Sequence, residues 1–384
     1  MKIHTLAIVA LLLFGLAHGA WLAEPAAPRV IAACDDKHYR HSEGSVIEMP
    51  DGRLLMAWSR FDGHKDRCGT LGDNGPATIV LAESADGGKT WSEPRALPVG
   101  TATLNIMQAA FVPVRNGLML AFSVRTREGH TSIKHAIESK DGGKTWTERR
   151  ELFPAGGPND RAVRLSTGRI LMASHRVSKT RIGKTADNEL LVARSDDEGA
   201  TWKLSDLVEH EKHAMESKAD EPHPLKIHEP AIAECRDGSL LLLARSVAGV
   251  LYQSRSKDAG VTWSKLEPTK LSSFAAPPYL RRLKDGRLAL LWNPITGPSN
   301  AKAEEAIKQS NPVPYGPRRQ LALATSADDG RTWSAPRIVA EDGKHGFCYP
   351  WTHERPDGTL LIFCSRTPFI IYPADLVQLE PIKP

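Results

Sequence analysis

Ser84-Ala85-Asp86-Gly87-Gly88-Lys89-Thr90-Trp91 decides the fold, because the chain repeats its pattern four more times. Ser139 to Trp146, Ser195 to Trp202, Ser256 to Trp263 and Ser326 to Trp333 all read Ser-x-Asp-x-Gly-x-Thr-Trp, starting 55, 56, 61 and 70 residues apart. A period of this size means stacked copies of one supersecondary unit. Within each copy the Asp (Asp86, Asp141, Asp197, Asp258, Asp328) accepts backbone N–H bonds from the loop that follows it. The Gly two positions on takes a positive φ, and the Trp is an apolar anchor between neighbouring sheets. The pattern is therefore a hairpin staple, and nothing in it requires catalysis.

A second repeat alternates with the first. Pro50-Asp51-Gly52-Arg53-Leu54-Leu55 is a tight turn followed by an apolar strand, and equivalents centre on Gly117, Gly168, Gly238, Gly286 and Gly358. Asp-Gly and Asn-Gly between apolar runs are hairpin signals. Six such units of four strands predict an all-β, six-bladed β-propeller. The sixth unit lacks the Trp-ended turn, so Pro28 to Ala33 is expected to supply its missing strand and close the ring. Two loops break the regularity. Leu207 to Lys226 carries His210, His213 and His223 among acids and lysines and reads as a solvated loop rather than a metal site. Gly297 to Pro317 is an insertion, with a short helix expected at Lys302 to Gln309.

The chain's 384 residues, 25% of them charged, are enough for one large core. Met1 and Lys2 before the apolar run Leu6 to Ala17, with Ala17-His18-Gly19 as cleavage point, read as a secretory signal peptide over residues 1–20. The propeller domain is expected over residues 28–384, and the location secreted or periplasmic. Ile31-Ala32-Ala33-Cys34 has the look of a lipoprotein box but lies well past the apolar run. No later segment is long and apolar enough for stable membrane insertion. A net charge of +5 without a Lys/Arg tract argues against nucleic acid as a partner. Five cysteines permit at most two bridges, and their spacing fits no zinc pattern.

The turn glycines also serve as a ruler. Counting back nine residues from each gives Glu43, Gln108, Asn159, Glu229, Pro277 and Tyr349, on the strand that lines the central channel of each blade. Two carboxylates and a tyrosine then share one ring, with Arg161 two residues beyond Asn159 on the same strand face. The second strands end in Arg60, Arg125, Arg176 and Arg366, each eight residues past its turn Gly. Arg245 sits at seven, with opposite parity, and is expected to point elsewhere.

These residues resemble the sialidase (neuraminidase) superfamily, whose Asp boxes the Trp-ended turns match along essentially the whole mature chain. The resemblance implies a glycoside hydrolase of the exo-α-sialidase type acting on a glycan or glycoconjugate. Glu229 in His228-Glu229-Pro230-Ala231 and Arg245 in Leu243-Ala244-Arg245-Ser246 are similar to the Glu–Arg pair of the fourth blade. Arg318 in Arg318-Arg319-Gln320-Leu321 matches a further Arg, and Tyr349 in Phe347-Cys348-Tyr349-Pro350 the nucleophilic Tyr. The acid/base Asp is implied in the loop after the second strand of blade one, where Asp66 has the better spacing and Asp62 is the alternative. The family's Arg-Ile-Pro motif is absent: Tyr39-Arg40-His41-Ser42-Glu43-Gly44-Ser45 stands there. Either Arg40 replaces the missing Arg from a shifted register, or Glu43 and His41 serve a different sugar, which makes a hydrolase or lyase for another acidic glycan the second reading. Arg60, Asn159 and Arg161 complete the expected substrate-binding set. No cofactor or metal is implied, and the sequence is silent on oligomeric state. A non-catalytic glycan-binding propeller is the third reading, since such proteins also carry Asp boxes.

Overall fold

A computed structural model describes residues 27–64, 66, 71–112, 114–128, 132–155, 162–182, 185–205, 208, 214–215, 223–296, 316, 318–368 and 373–384. It contains six four-stranded antiparallel sheets, one for each blade read from the sequence. Blade one is His38–Glu48, Leu54–Asp62, Ala77–Ser84 and Arg95–Ala96. Blades two to five repeat that order from Asn105–Val112, Ala162–Arg164, His228–Glu234 and Tyr279–Arg282. Blade six is Gly346–Glu354, Leu360–Thr367 and Asp375–Ile382, and its fourth strand is Arg29–Ala32, paired antiparallel with Asp375–Ile382. The ring closes with the N-terminal strand, as the sixth unit's missing turn required.

The apolar runs follow from this stacking. Middle strands are buried on both faces, so alternate residues face opposite neighbours. Leu54, Met56 and Trp58 pack with Leu361 and Phe363 of blade six, while Leu55 and Ala57 pack with Leu118, Leu120 and Phe122 of blade two. Equivalent clusters fill the other interblade gaps, which is why these strands read as continuous apolar stretches rather than alternating ones.

The staples are built as their composition predicts. Asp86 Oδ1 accepts from the backbone N–H of Lys89 and Thr90, both at 2.9 Å, and Thr90 Oγ1 donates to Oδ2 at 2.6 Å. Ser84 Oγ donates to Asp86 and accepts from Gly88 N. Gly88 has φ +84°, and a Cβ there would lie 2.7 Å from Leu361 Cδ1, so both backbone and space demand glycine. Trp91 meets Phe363 of blade six edge to face, with centroids 5.7 Å apart.

Topology separates chemistry from scaffold. First strands run toward the Gly turns, second strands run back, and third strands return to the Trp-ended turns. Both turn sets thus share one face. The starts of first strands, the ends of second strands and the loops joining second to third strands share the other. A cavity of about 490 Å³ occupies the turn-side half of the channel and takes only Glu43 from the described ring residues. Among the described residues, no helix is long and apolar enough to cross a membrane. Cys235, Cys348 and Cys364 are buried free thiols; Cys68 lies outside the described residues.

Candidate active site

The ring positions counted from the sequence share a backbone signature. Glu43, Gln108, Glu229 and Tyr349 have φ of 48°, 71°, 53° and 53°. Each opens a β-bulge in its first strand, where the register slips between Ser42 and Ser45, Met107 and Ala110, His228 and Ala231, and Cys348 and Trp351. A bulge residue in the left-handed region is normally glycine. Placing large polar residues there costs on the order of 1–3 kcal/mol each, a burden that folds carry at functional sites. Pro277, the fifth described position, cannot adopt positive φ. Asn159 and Arg161 lie outside the described residues.

Three arginines surround Tyr349. The Arg40 and Arg318 guanidinium carbons each lie 5.9 Å from its ring centroid. Arg245 pairs with Glu229 through Nη1 to Oε2 at 2.5 Å, and both are buried. Of the four arginines at the common position, Arg60, Arg176 and Arg366 pair with Asp62, Glu189 and Asp375, whereas Arg125 reaches the site, donating to the Asp73 carbonyl. Arg245 turns inward, where its Nε donates to His228 Nε2 at 2.8 Å. His228 Nδ1 lies 2.5 Å from the Lys226 carbonyl, so it carries the ring proton and leaves Nε2 as acceptor. Burial and the Arg245 charge hold His228 neutral, well below the usual histidine range.

Arg40 is 4% exposed. Its Nη2 meets Glu43 Oε1 at 2.8 Å, its Nη1 pairs with Asp73, and its guanidinium carbon lies 4.6 Å from the Phe61 ring centroid. Asp73 stands on the one-turn 3₁₀ helix Gly72–Asn74, in the loop between the second and third strands of blade one. The carboxylate brought to the ring is therefore Asp73, not Asp66 or Asp62. Asp66 is 78% exposed and paired with His64 at 3.2 Å, and Asp62 is turned to Arg60. A Gly-bounded turn, Gly72-Asp73-Asn74-Gly75, was the sequence signal for it; spacing from Arg60 favoured nearer residues. His41 faces away from the ring and accepts from Trp58 Nε1 at 3.0 Å.

The backbone carrying Asp73 is clamped by donors from two blades. Asn105 Nδ2 donates to the carbonyls of Asp73 at 2.8 Å and Gly75 at 2.9 Å. Arg125 Nη1 donates to the Asp73 carbonyl at 2.6 Å, and Tyr39 Oη to the Gly72 carbonyl at 2.7 Å. Gly75 sits so close to Tyr39 that a Cβ would come within 2.1 Å of its hydroxyl. A small apolar cluster of Tyr39, Phe61 and Met107, with Leu71 and Ala77 against it, supports the loop from below.

Charge states follow from burial and pairing. Burial pushes Glu43 and Glu229 up to about 7, against the pull of Arg40 and Arg245 respectively. Burial and then the Glu229 charge raise Tyr349 further above its ordinary value, so the phenol is neutral. Burial also disfavours charge on Asp73, but Arg40, with Arg125 and Arg245 behind it, more than offsets this and keeps it ionised. Blade two adds Lys134, which the sequence reading missed: it is fully buried, bonded to Ser123 Oγ and 3.3 Å from Gln108 Oε1. Desolvation brings Lys134 down to about 7.

The arrangement presents a neutral phenol near the buried carboxylates of Glu229 and Glu43, with arginines around it and the half-exposed carboxylate of Asp73 paired to Arg40. The Asp73 side chain is 49% exposed, so a ligand entering from this face meets it. Of the His-bearing loop, His210 and His213 lie outside the described residues, as does Lys302 to Gln309.

Residues 108–362 match the BNR repeat-like domain, and the chain belongs to this family of sialidase-superfamily propellers. It is 24% identical over 345 residues to a sialidase of Micromonospora viridifaciens, covering 81% of this chain and 47% of that protein. It is 22% identical over 303 residues to a sialidase of Bacteroides fragilis, covering 70% and 50%. The chain thus spans about half the length of these curated relatives. Among solved structures it superposes on a Dyadobacter fermentans protein of unknown function with TM-score 0.70 at 16% identity, covering 92% of this chain and 97% of that one. It superposes on the NanB sialidase of Streptococcus pneumoniae with TM-score 0.64 at 14% identity, covering 92% and 70%. At such identities the structural likeness speaks for the fold.

Proposed function

We propose that this protein is an exported glycoside hydrolase of the exo-α-sialidase type, releasing a terminal acidic sugar with retention of configuration. The observation that carries the proposal is the convergence of Arg40, Arg318 and the Glu229–Arg245 pair around the buried phenol of Tyr349. A sugar with a carboxylate on its anomeric carbon repels a carboxylate nucleophile, whereas a neutral phenol avoids that repulsion. Arginine forks hold the sugar's carboxylate and stay charged at any working pH. Glu229 takes the phenolic proton as Tyr349 attacks the anomeric carbon, and Asp73 protonates the leaving oxygen. Asp73 then takes a proton from the water that releases the sugar. Sialidases among the relatives support the substrate class.

Incubation with 4-methylumbelliferyl α-sialoside tests the reading: release of fluorophore by wild type and its loss in Tyr349→Phe are expected. Export rests on the N-terminal sequence, and N-terminal sequencing of the mature protein checks it.

One observation favours a second reading, hydrolysis of another acidic glycan such as a uronic acid. Arg40, which stands where the Arg-Ile-Pro motif is absent, is already bonded to Glu43 and Asp73. Cleavage of an aryl uronide with no action on the sialoside selects that reading. Binding of either glycan with no effect of Tyr349→Phe selects a binding propeller.

A further inference from the structure

Arg40 belongs at once to the cluster that faces a substrate carboxylate and to the carboxylate that must give up a proton. It lies over Tyr349, and its Nη1 is the ion-pair partner of Asp73. An ionised Asp73 cannot protonate a leaving group. We propose that Arg40 couples the two events: an anionic substrate competes for Arg40, and Asp73, losing its counter-ion, takes up the proton that it then gives to the leaving oxygen. This rests on the function proposed above and says why the substrate must be anionic.

The geometry suits an exchange of partners. The Arg40 side chain is 5% exposed and held by Glu43, while the Asp73 side chain is 49% exposed, so solvent or a ligand reaches the pair through Asp73. The Asp73 backbone is fixed independently by Asn105, Arg125 and Tyr39, so its carboxylate can change partners without the loop moving. The other charges around Asp73 are Arg125 and Arg245, which favour its ionised form, and Glu43, Glu229 and Tyr349, on which its own charge acts. Arg125 is bonded to the Asp73 carbonyl, and Arg245 is engaged by Glu229 and His228. Arg40 is thus the counter-ion a ligand can draw away.

The proton balance closes. Solvent supplies one proton to Asp73 when the site fills. The bond from the anomeric carbon to the leaving oxygen breaks as that proton moves to the oxygen. The bond from Tyr349 Oη to the anomeric carbon forms as the phenolic proton moves to Glu229. In the second half, water's oxygen bonds to the carbon and its proton goes to Asp73. The Tyr349 oxygen leaves and recovers its proton from Glu229.

The test is the titration of the Asp73 carboxyl, followed by carbon-13 NMR in the full chain. Without ligand, Arg40→Gln should raise the midpoint by about one to three pH units, whereas Arg40→Lys, which keeps the cation, should hold it near wild type. In wild type, the unsaturated analogue 2-deoxy-2,3-dehydro-N-acetylneuraminic acid should raise the midpoint by a similar amount, and its methyl ester should not. An Asp73 midpoint unmoved by Arg40→Gln, or moved equally by acid and ester, overturns the proposal. If the analogue does not bind, the sialic acid assignment fails, and the ligand-free comparison of Arg40→Gln with Arg40→Lys still decides whether Arg40 sets the charge of Asp73.

Discussion

Replacing Asn105 by leucine removes the amide that holds the Asp73 loop while keeping side-chain volume. Asn105 Nδ2 donates to two carbonyls, at 2.8 and 2.9 Å. The Asp73 carbonyl keeps Arg125 as a donor, but the Gly75 carbonyl loses the bond from Asn105. A buried carbonyl left unsatisfied costs about 1–3 kcal/mol. Taking about 1–2 kcal/mol as the cost to the aligned loop, its population relative to misaligned forms falls roughly 5–30-fold. The fold itself should survive, because Asn105 sits at the start of its strand and the interblade cores are untouched. Misplacing Asp73 matters in proportion to how much the leaving group needs a proton. On 3′-sialyllactose, whose leaving group is a sugar alcohol, kcat/KM should fall about 5–30-fold. On 4-nitrophenyl α-sialoside, whose leaving group departs as a stable anion, it should fall less than about 3-fold. Hydrogen exchange at Gly72 to Gly75 should quicken by a similar factor in the absence of ligand. Equal losses on the two substrates, with unchanged exchange at the loop, would refute the clamp.

Glu229→Gln should reduce kcat/KM by about 10²–10⁴-fold and abolish the acidic limb of the pH–rate profile, which in wild type should bend near pH 7, where Glu229 ionises. Lys134, depressed from 10.5 to about 7 by burial, binds its proton in the unfolded chain before the folded one. Its contribution to stability is present above pH 10.5 and lost as pH falls through 7, so Lys134→Met should flatten the rise in urea midpoint between pH 7 and 10. Glu43 and Glu229, raised from 4.5 to about 7, act with the opposite sign: their contribution is present below pH 4.5 and lost as pH rises through 7. Gly44→Ala places a Cβ 2.5 Å from Trp351 Cζ2 and 2.9 Å from the Ala57 carbonyl. Overpacking of that kind costs about 1–3 kcal/mol and should lower Tm by roughly 2–5 °C in a calorimetric scan; an unchanged Tm would show that Trp351 yields freely.

The architecture was legible because its signals are local and repeated. A Trp-ended turn needs its Ser, Asp, Gly and Thr within eight residues, and each of those contacts is made inside the motif. The same ruler located Glu43, Gln108, Glu229 and Tyr349, whose shared bulge and positive φ show that counting from the turn glycines had found equivalent places. Parity singled out Arg245 but not Arg125, which shares its place with Arg60, Arg176 and Arg366 and yet reaches the Asp73 loop. Asp73 was not legible, because its role depends on where a loop folds back, and that is fixed by Asn105 and Arg125 in the next blade rather than by distance from Arg60. Lys134 was hidden by its strand: in Ser132-Ile133-Lys134-His135-Ala136 it reads as a surface lysine, and only its meeting with Gln108 and Ser123 across the blade distinguishes it. The neutral tautomer of His228 likewise follows from contacts with Lys226 and Arg245 that no spacing rule encodes.

The central claim is that Tyr349 attacks the anomeric carbon. The direct measurement is to treat the protein with 2,3-difluorosialic acid, digest it and locate the adduct by mass spectrometry. The account predicts one sugar on the Tyr349 peptide in wild type and none in Tyr349→Phe, with aryl sialoside turnover lost in that variant. Turnover by wild type with no adduct on Tyr349, or a Tyr349→Phe protein that works at the wild-type rate, would contradict it.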